Sequence, residues 1–295
     1  IRIFAEMVSR EQKMKFCVNI VSSQVVGTLA SYLLAAVVMW LIGWRAVFAA
    51  AAICLCVMAV IWIIGFGEIE KCGKDPEKER ADVDNAESTA AKPVNAGTQA
   101  WLGSGILMVL FPVIIHGMLK DGVTTWVPTY ITETFLTSPA FSILVTTVLP
   151  IVNLTGAYLA QYLYQKCKKQ EAAAAVWLFL IAVLALTGIW IGKDTSMILT
   201  IVLFAMTTAS MMGVNTIFVN FFPLRYEAIG KVSTVSGFMN GMAYVGTAVS
   251  TFTIGVLVEQ KGWNVTIGSW VVMTFLALMV CMLGKKKIFV ADGII

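Results

Sequence analysis

Long apolar runs separated by short polar breaks organise this chain. Eight of them, at approximately 14–40, 46–64, 101–130, 140–164, 172–191, 196–222, 232–258 and 265–283, are long enough to cross a hydrocarbon core of about 30 Å at about 1.5 Å per residue. The pattern predicts eight transmembrane helices. The third run is longer than a crossing needs, so it is expected to be tilted or broken. Between the second and third runs lies the one long non-apolar stretch, carrying charges of both signs and few large apolar residues; it reads as a linker over 65–100.

Composition turns this pattern into a class. Hydrophobic residues make up 59% of the chain and charged residues 13%, against about 25% charged in a soluble domain. An all-α membrane protein follows, with the lipid bilayer as its first partner and no nucleic-acid partner expected. The excess of basic residues has a topological use instead. With the first polar segment placed inside, the predicted inner connections hold 17 Lys and Arg and the outer ones 3, and Lys120 is the single one left over from 21. Both termini are therefore expected in the cytoplasm of a multi-pass plasma-membrane protein. The six cysteines show no metal-ligand spacing and read as free thiols. The chain opens on Ile1 with no signal peptide, which suggests a truncated N-terminus.

An internal repeat orders the runs. Val26, Gly27, Thr28, Ser31, Gly43 and Trp44 recur as Val245, Gly246, Thr247, Ser250, Gly262 and Trp263, every pair 219 residues apart. Six crossings separate the two copies, as expected for six-helix bundles related by an axis along the membrane normal. The predicted division is 1–64 for the last two helices of a first bundle, 65–100 for the linker and 101–295 for a second, six-helix bundle.

Lys120 and Asp121 are the chemical anomaly, because an ionised side chain at the centre of a bilayer costs about 2.5–3.5 kcal/mol or more and usually marks a pathway or a site. His116, Lys120 and Thr124 are spaced by four and share one helical face. The seventh run offers a second polar stripe with Asn240, Tyr244, Thr247 and Thr251. Ser23 and Gln24 on the first run, and Asn153 on the fourth, are further candidates for the wall of a water-filled cavity. A lysine suits a phosphate or carboxylate, and tyrosine and asparagine add neutral hydrogen bonds that orient it. The competing reading ends the third span at Leu119 and lets Lys120 snorkel to the surface. Against it, Val123, Trp126, Val127, Tyr130, Ile131 and Phe135 follow, too apolar for an ordinary loop. His116, the only histidine, is either a hydrogen-bonded packing residue or a proton carrier. Gly27, Gly237, Gly241 and Gly246 are expected to permit close helix approach, and Pro112 and Pro150 to kink their helices. No catalytic triad, metal constellation, phosphate loop or dinucleotide fingerprint is present, so neither enzyme nor cofactor is expected.

From end to end the chain resembles the major facilitator superfamily, and the resemblance implies that fold without its first four helices, leaving positions five to twelve. After the eighth position, GAYLAQYLYQKCKK keeps Gly156 and the lysines of the family's loop motif and has Gln161 at its acidic position. LKDGVTTWVPTYI is similar to the seventh helix of the organophosphate:phosphate antiporter branch, in which a cationic residue two before the glycine binds substrate phosphate. Lys120, Gly122, Trp126, Pro128, Thr129 and Tyr130 match in place, and Gly237, Phe238 and Tyr244 match that branch's eleventh helix. What the resemblance implies is secondary transport of a small organic anion, such as a sugar phosphate, by a monomer working through alternating access. Two alternatives are proton-coupled efflux of a hydrophobic or cationic compound, and a non-transporting membrane sensor of phosphate compounds.

Overall fold

The computed structural model describes residues 10–73, 106–192, 196–227 and 230–291; of the expected linker, 74–100 lie outside these. Every described element is helical, the form in which a segment surrounded by lipid satisfies its own backbone hydrogen bonds. In chain order they are α1 (Arg10–Leu41), α2 (Trp44–Gly73), α3 (Leu107–Gly117), a π-helical turn (Met118–Val123), α4 (Thr124–Phe135), α5 (Pro139–Thr146), α6 (Val148–Lys166), α7 (Glu171–Ile191), α8 (Met197–Asn215), a second π-helical turn (Thr216–Phe221), a 3-10 turn (Phe222–Tyr226) and α9 (Val232–Ala291).

Six of the described stretches are long and apolar enough to cross a membrane: Arg45–Gly65, Leu107–Phe135, Phe141–Lys166, Glu171–Ile191, Met197–Tyr226 and Val232–Gly284. The last is 53 residues long and is broken at Gly262, where φ of 75° and ψ of 174° leave the helical region. Gly43, its counterpart in the repeat, also has a positive φ, 113°, at the junction of α1 and α2. A side chain is strained in that backbone region, so both Gly-Trp pairs mark places where one helix ends and the next begins. The fourth span is interrupted at Thr147. Pro150 lies three residues on, where its ring excludes the Thr146 carbonyl and its nitrogen offers no proton.

The chain divides into two compact units, 26–95 and the remainder. Within the smaller, the most apolar window of Arg45–Gly65 is wholly uncovered, and Phe48, Leu55 and Trp62 are exposed along it. The larger unit holds the packed core, deepest around Glu171–Ile191 and Met197–Tyr226, whose windows are 56% and 67% buried. Ala172, Ala173, Ala174 and Ala175 are all buried at the start of α7, where short side chains let neighbouring backbones come close.

Glycine governs two of those approaches. A Cβ on Gly156 would collide with the Ala209 carbonyl of α8, and one on Gly117 or Gly246 with the Ala243 or Ile114 carbonyl across the contact between α3 and α9. Of the four glycines expected to make close contacts, Gly246 alone does so. Gly27, Gly237 and Gly241 have nothing within 4 Å, because they fall on helix faces that the described residues leave open. At the start of α7, Glu171 is 1% exposed and receives a two-pronged ion pair from Arg225, with Nε at 2.8 Å from Oε1 and Nη2 on Oε2. Tyr164 adds a hydroxyl to Oε1 at 3.3 Å. Three spans are thereby tied at one carboxylate.

Gly156→Ala should lower the melting temperature of the detergent-solubilised protein, corresponding to about 1–3 kcal/mol of overpacking, whereas Gly237→Ala should leave it unchanged or raise it. Arg225→Ala should cost about 3 kcal/mol by stranding Glu171, and the double change Glu171→Gln with Arg225→Met should recover most of that loss in the same melting assay.

Candidate functional site

Lys120 stands thirteen residues after Leu107 and fifteen before Phe135, about 20 Å along the helix from either end. The helix continues beyond Leu119 as α4 to Phe135, and the whole stretch is apolar enough to cross a membrane. The residue also lies inside the π-helical turn Met118–Val123. Bonding from i to i+5 inserts extra backbone into the helix and rotates the faces before and after it by up to about 100°. Gly122 within the turn has the Ser250 hydroxyl against its open side, so α9 packs directly over the irregular segment.

The Lys120 side chain is 14% exposed, and its Nζ lies 3.4 Å from Asp121 Oδ1. The other oxygen of Asp121, Oδ2, accepts from the Thr247 hydroxyl of α9 at 2.9 Å. The same hydroxyl is within reach of the Gly117 and Ala243 carbonyls at 3.2 and 3.3 Å, but its single proton serves one acceptor at a time. Asp121 is therefore both the counter-ion of Lys120 and a bridge to the neighbouring helix.

His116 is completely buried, with Nε2 3.1 Å from Asn215 Oδ1 of α8. The amide oxygen is an acceptor, so Nε2 donates to it in the tautomer that carries the proton on Nε2. His116 and Asn215 each precede a π-helical turn, Met118–Val123 on one span and Thr216–Phe221 on the other. This pair thus pins together two spans at the level where both lose regular α geometry.

The remaining sequence candidates are distributed differently. Thr124 spends its hydroxyl on the Lys120 carbonyl at 2.5 Å, a back-bond to its own helix. Asn240 and Tyr244 occupy the exposed face of α9, with Tyr244 53% exposed, one turn before Thr247. Asn153 is buried on the same face of α6 as Gly156, and its Oδ1 has no partner among the described residues. Ser23 and Gln24 are exposed on α1; Ser23 bonds the Ile20 carbonyl at 2.8 Å, and the adjacent Ser22 lies 3.4 Å from the Tyr158 hydroxyl of α6.

The Trp-x-Pro-Thr-Tyr stretch serves packing. Trp126 and Tyr130 both meet the Trp263 ring edge-on at centroid distances of 6.5 and 5.1 Å. Tyr130 also meets Phe204 at 5.4 Å, while Trp263 donates to Glu133 at 2.7 Å. Asp121 is the partner the sequence offers Lys120, and Asn215, open in the sequence between lining the cavity and bonding a neighbouring helix, bonds His116. Asp121 is signalled by adjacency to Lys120, but the Asn215 pairing has no local signal. Among the described residues no group of three or more side chains could hold a metal ion.

Asn215→Leu should cost about 1–3 kcal/mol by leaving the buried His116 Nε2 without its partner, and adding His116→Leu should recover much of it in a double-mutant melting cycle.

No curated protein matches the chain. The family model described as Major Facilitator Superfamily matches residues 1–251, most of the sequence and most of the helical spans above. On that match, together with its membrane-crossing helices, the chain belongs to the Major Facilitator Superfamily and is a multi-pass membrane protein of the secondary-transporter class.

Proposed function

We propose that this transporter carries a small organic anion, with phosphate esters the leading class, and that Lys120 binds the anionic group. What supports the reading is a 14%-exposed ammonium inside an apolar stretch long enough to cross a membrane, paired with the Asp121 carboxylate. Lysine has three donors, so an anion with several acceptor oxygens can engage it further. Tyr244 and Asn240, on the open face of α9, are assigned to orienting the neutral part of the substrate.

In this reading 232–291 makes two crossings around Gly262, and 101–295 forms a six-helix bundle whose seventh-run helix repeats the first. Alternating access then exposes Lys120 to each side of a plasma membrane in turn, with antiport as the working mode and both termini cytoplasmic.

Lys120→Ala should abolish uptake of a labelled phosphate ester by membrane vesicles without lowering protein abundance. Lys120→Arg should retain more activity than Lys120→Gln, because charge is the property required. Unchanged transport in Lys120→Ala would sink the assignment.

A further inference from the structure

The end of α6 and the turn into α7 carry three lysines, Lys166, Lys168 and Lys169, all exposed, and among the described residues none of them has an ion-pair partner. We propose that these lysines, with Tyr162 beside them, hold the headgroup of an anionic phospholipid from the leaflet at that end of the span.

Backbone geometry singles out two of the three. Lys168 and Lys169 have φ of 54° and 62°, a left-handed region that glycine enters freely and a residue with a Cβ does not. The turn is closed by its own backbone: the amides of Cys167, Lys168, Lys169 and Gln170 donate to the carbonyls of Leu163, Gln165, Tyr164 and Cys167 at 2.8, 3.1, 2.9 and 3.1 Å. A pair of glycines would make the same turn with less strain, so what the lysines add is charge. With the amides of the turn spent on carbonyls, an anion arriving there meets ammonium groups. Glu171, the acid that follows the turn, is buried and already holds Arg225 and the Tyr164 hydroxyl, which leaves the lysines uncompensated.

Position selects a lipid as the anion. Lys166 is the last residue of the apolar stretch Phe141–Lys166, so the three ammonium groups stand where that span meets the headgroup layer. The Lys166 Nζ lies 5.8 Å from the centre of the Tyr162 ring, one turn back on the same face, and Tyr158 is one turn further along. Tyr162 is 58% exposed and Tyr158 51%, and the Tyr158 hydroxyl borders α1 through Ser22 at 3.4 Å. This aromatic stripe leads from the lysines into the span. It suits an acyl chain hanging below a phosphate, whereas a free phosphate ion makes no use of it. Three uncompensated cations in turn favour a lipid of net negative charge, such as phosphatidylglycerol, over a zwitterionic one.

The test uses the whole chain purified in a neutral detergent and titrated with phosphatidylglycerol or with phosphatidylcholine of the same acyl chains, the lipid retained on the protein being counted by native mass spectrometry. The wild type should retain phosphatidylglycerol in preference. Lys166→Gln should weaken that binding about fivefold, and Lys168→Gly together with Lys169→Gly about thirtyfold, since each lysine at an anionic headgroup contributes about a factor of five. The melting temperature of the double glycine variant without lipid should stay level or rise. Lys168→Arg with Lys169→Arg should keep the affinity, and Lys261→Gln, which removes an exposed charge beside Gly262, should leave it unchanged.

Equal retention of the two lipids, undiminished binding in the double glycine variant, or equal weakening by Lys261→Gln and Lys166→Gln overturns the proposal. Displacement of the lipid by millimolar inorganic phosphate overturns it in favour of a free-anion site. A lower melting temperature of the double glycine variant without lipid also overturns it, because the two lysines would then serve the turn itself.

Discussion

The Lys120 ammonium is 14% exposed and lies within an apolar stretch long enough to cross a membrane, so it calls for a partner of opposite charge. Here the neutralising group is the next residue in the chain, and that residue is held by a hydroxyl from another helix. The close approach that brings the hydroxyl in depends on glycine on both sides, Gly117 and Gly122 on one span and Gly246 on the other. Charge, irregular backbone and tight helix packing are three aspects of a single arrangement.

The start of α7 holds a buried charge differently. Glu171 is more deeply buried than Lys120 and accepts three hydrogen bonds, two from a guanidinium fork and one from a phenol. Lys120 is served by one carboxylate at a longer distance and retains donor capacity, which is why it, and not the more buried carboxylate, draws attention as a binding group.

Part of the architecture was legible because apolarity is a local property: the six stretches able to cross a membrane overlap every predicted run but the first, the seventh and eighth runs falling in one stretch broken at Gly262. What was not legible depends on three dimensions. The π-helical turn around Lys120 follows from how α9 packs over it, and residue types alone do not announce it. The partnership of His116 with Asn215 spans 99 positions. Gly237 and Gly241 resemble Gly246 in sequence context but lie on another face of α9, so spacing could not separate the packed glycine from the open ones.

Gly262 joins two helical legs without an intervening loop, and the next residue is Trp263. That indole rests against Trp126 and Tyr130 and hydrogen-bonds Glu133, all on the half of the lysine-bearing span that follows its π-helical turn. A single-residue elbow has no slack. Any change of angle between the two legs is therefore felt as leverage on α4, through a handle of three side chains, rather than being absorbed by a flexible connection.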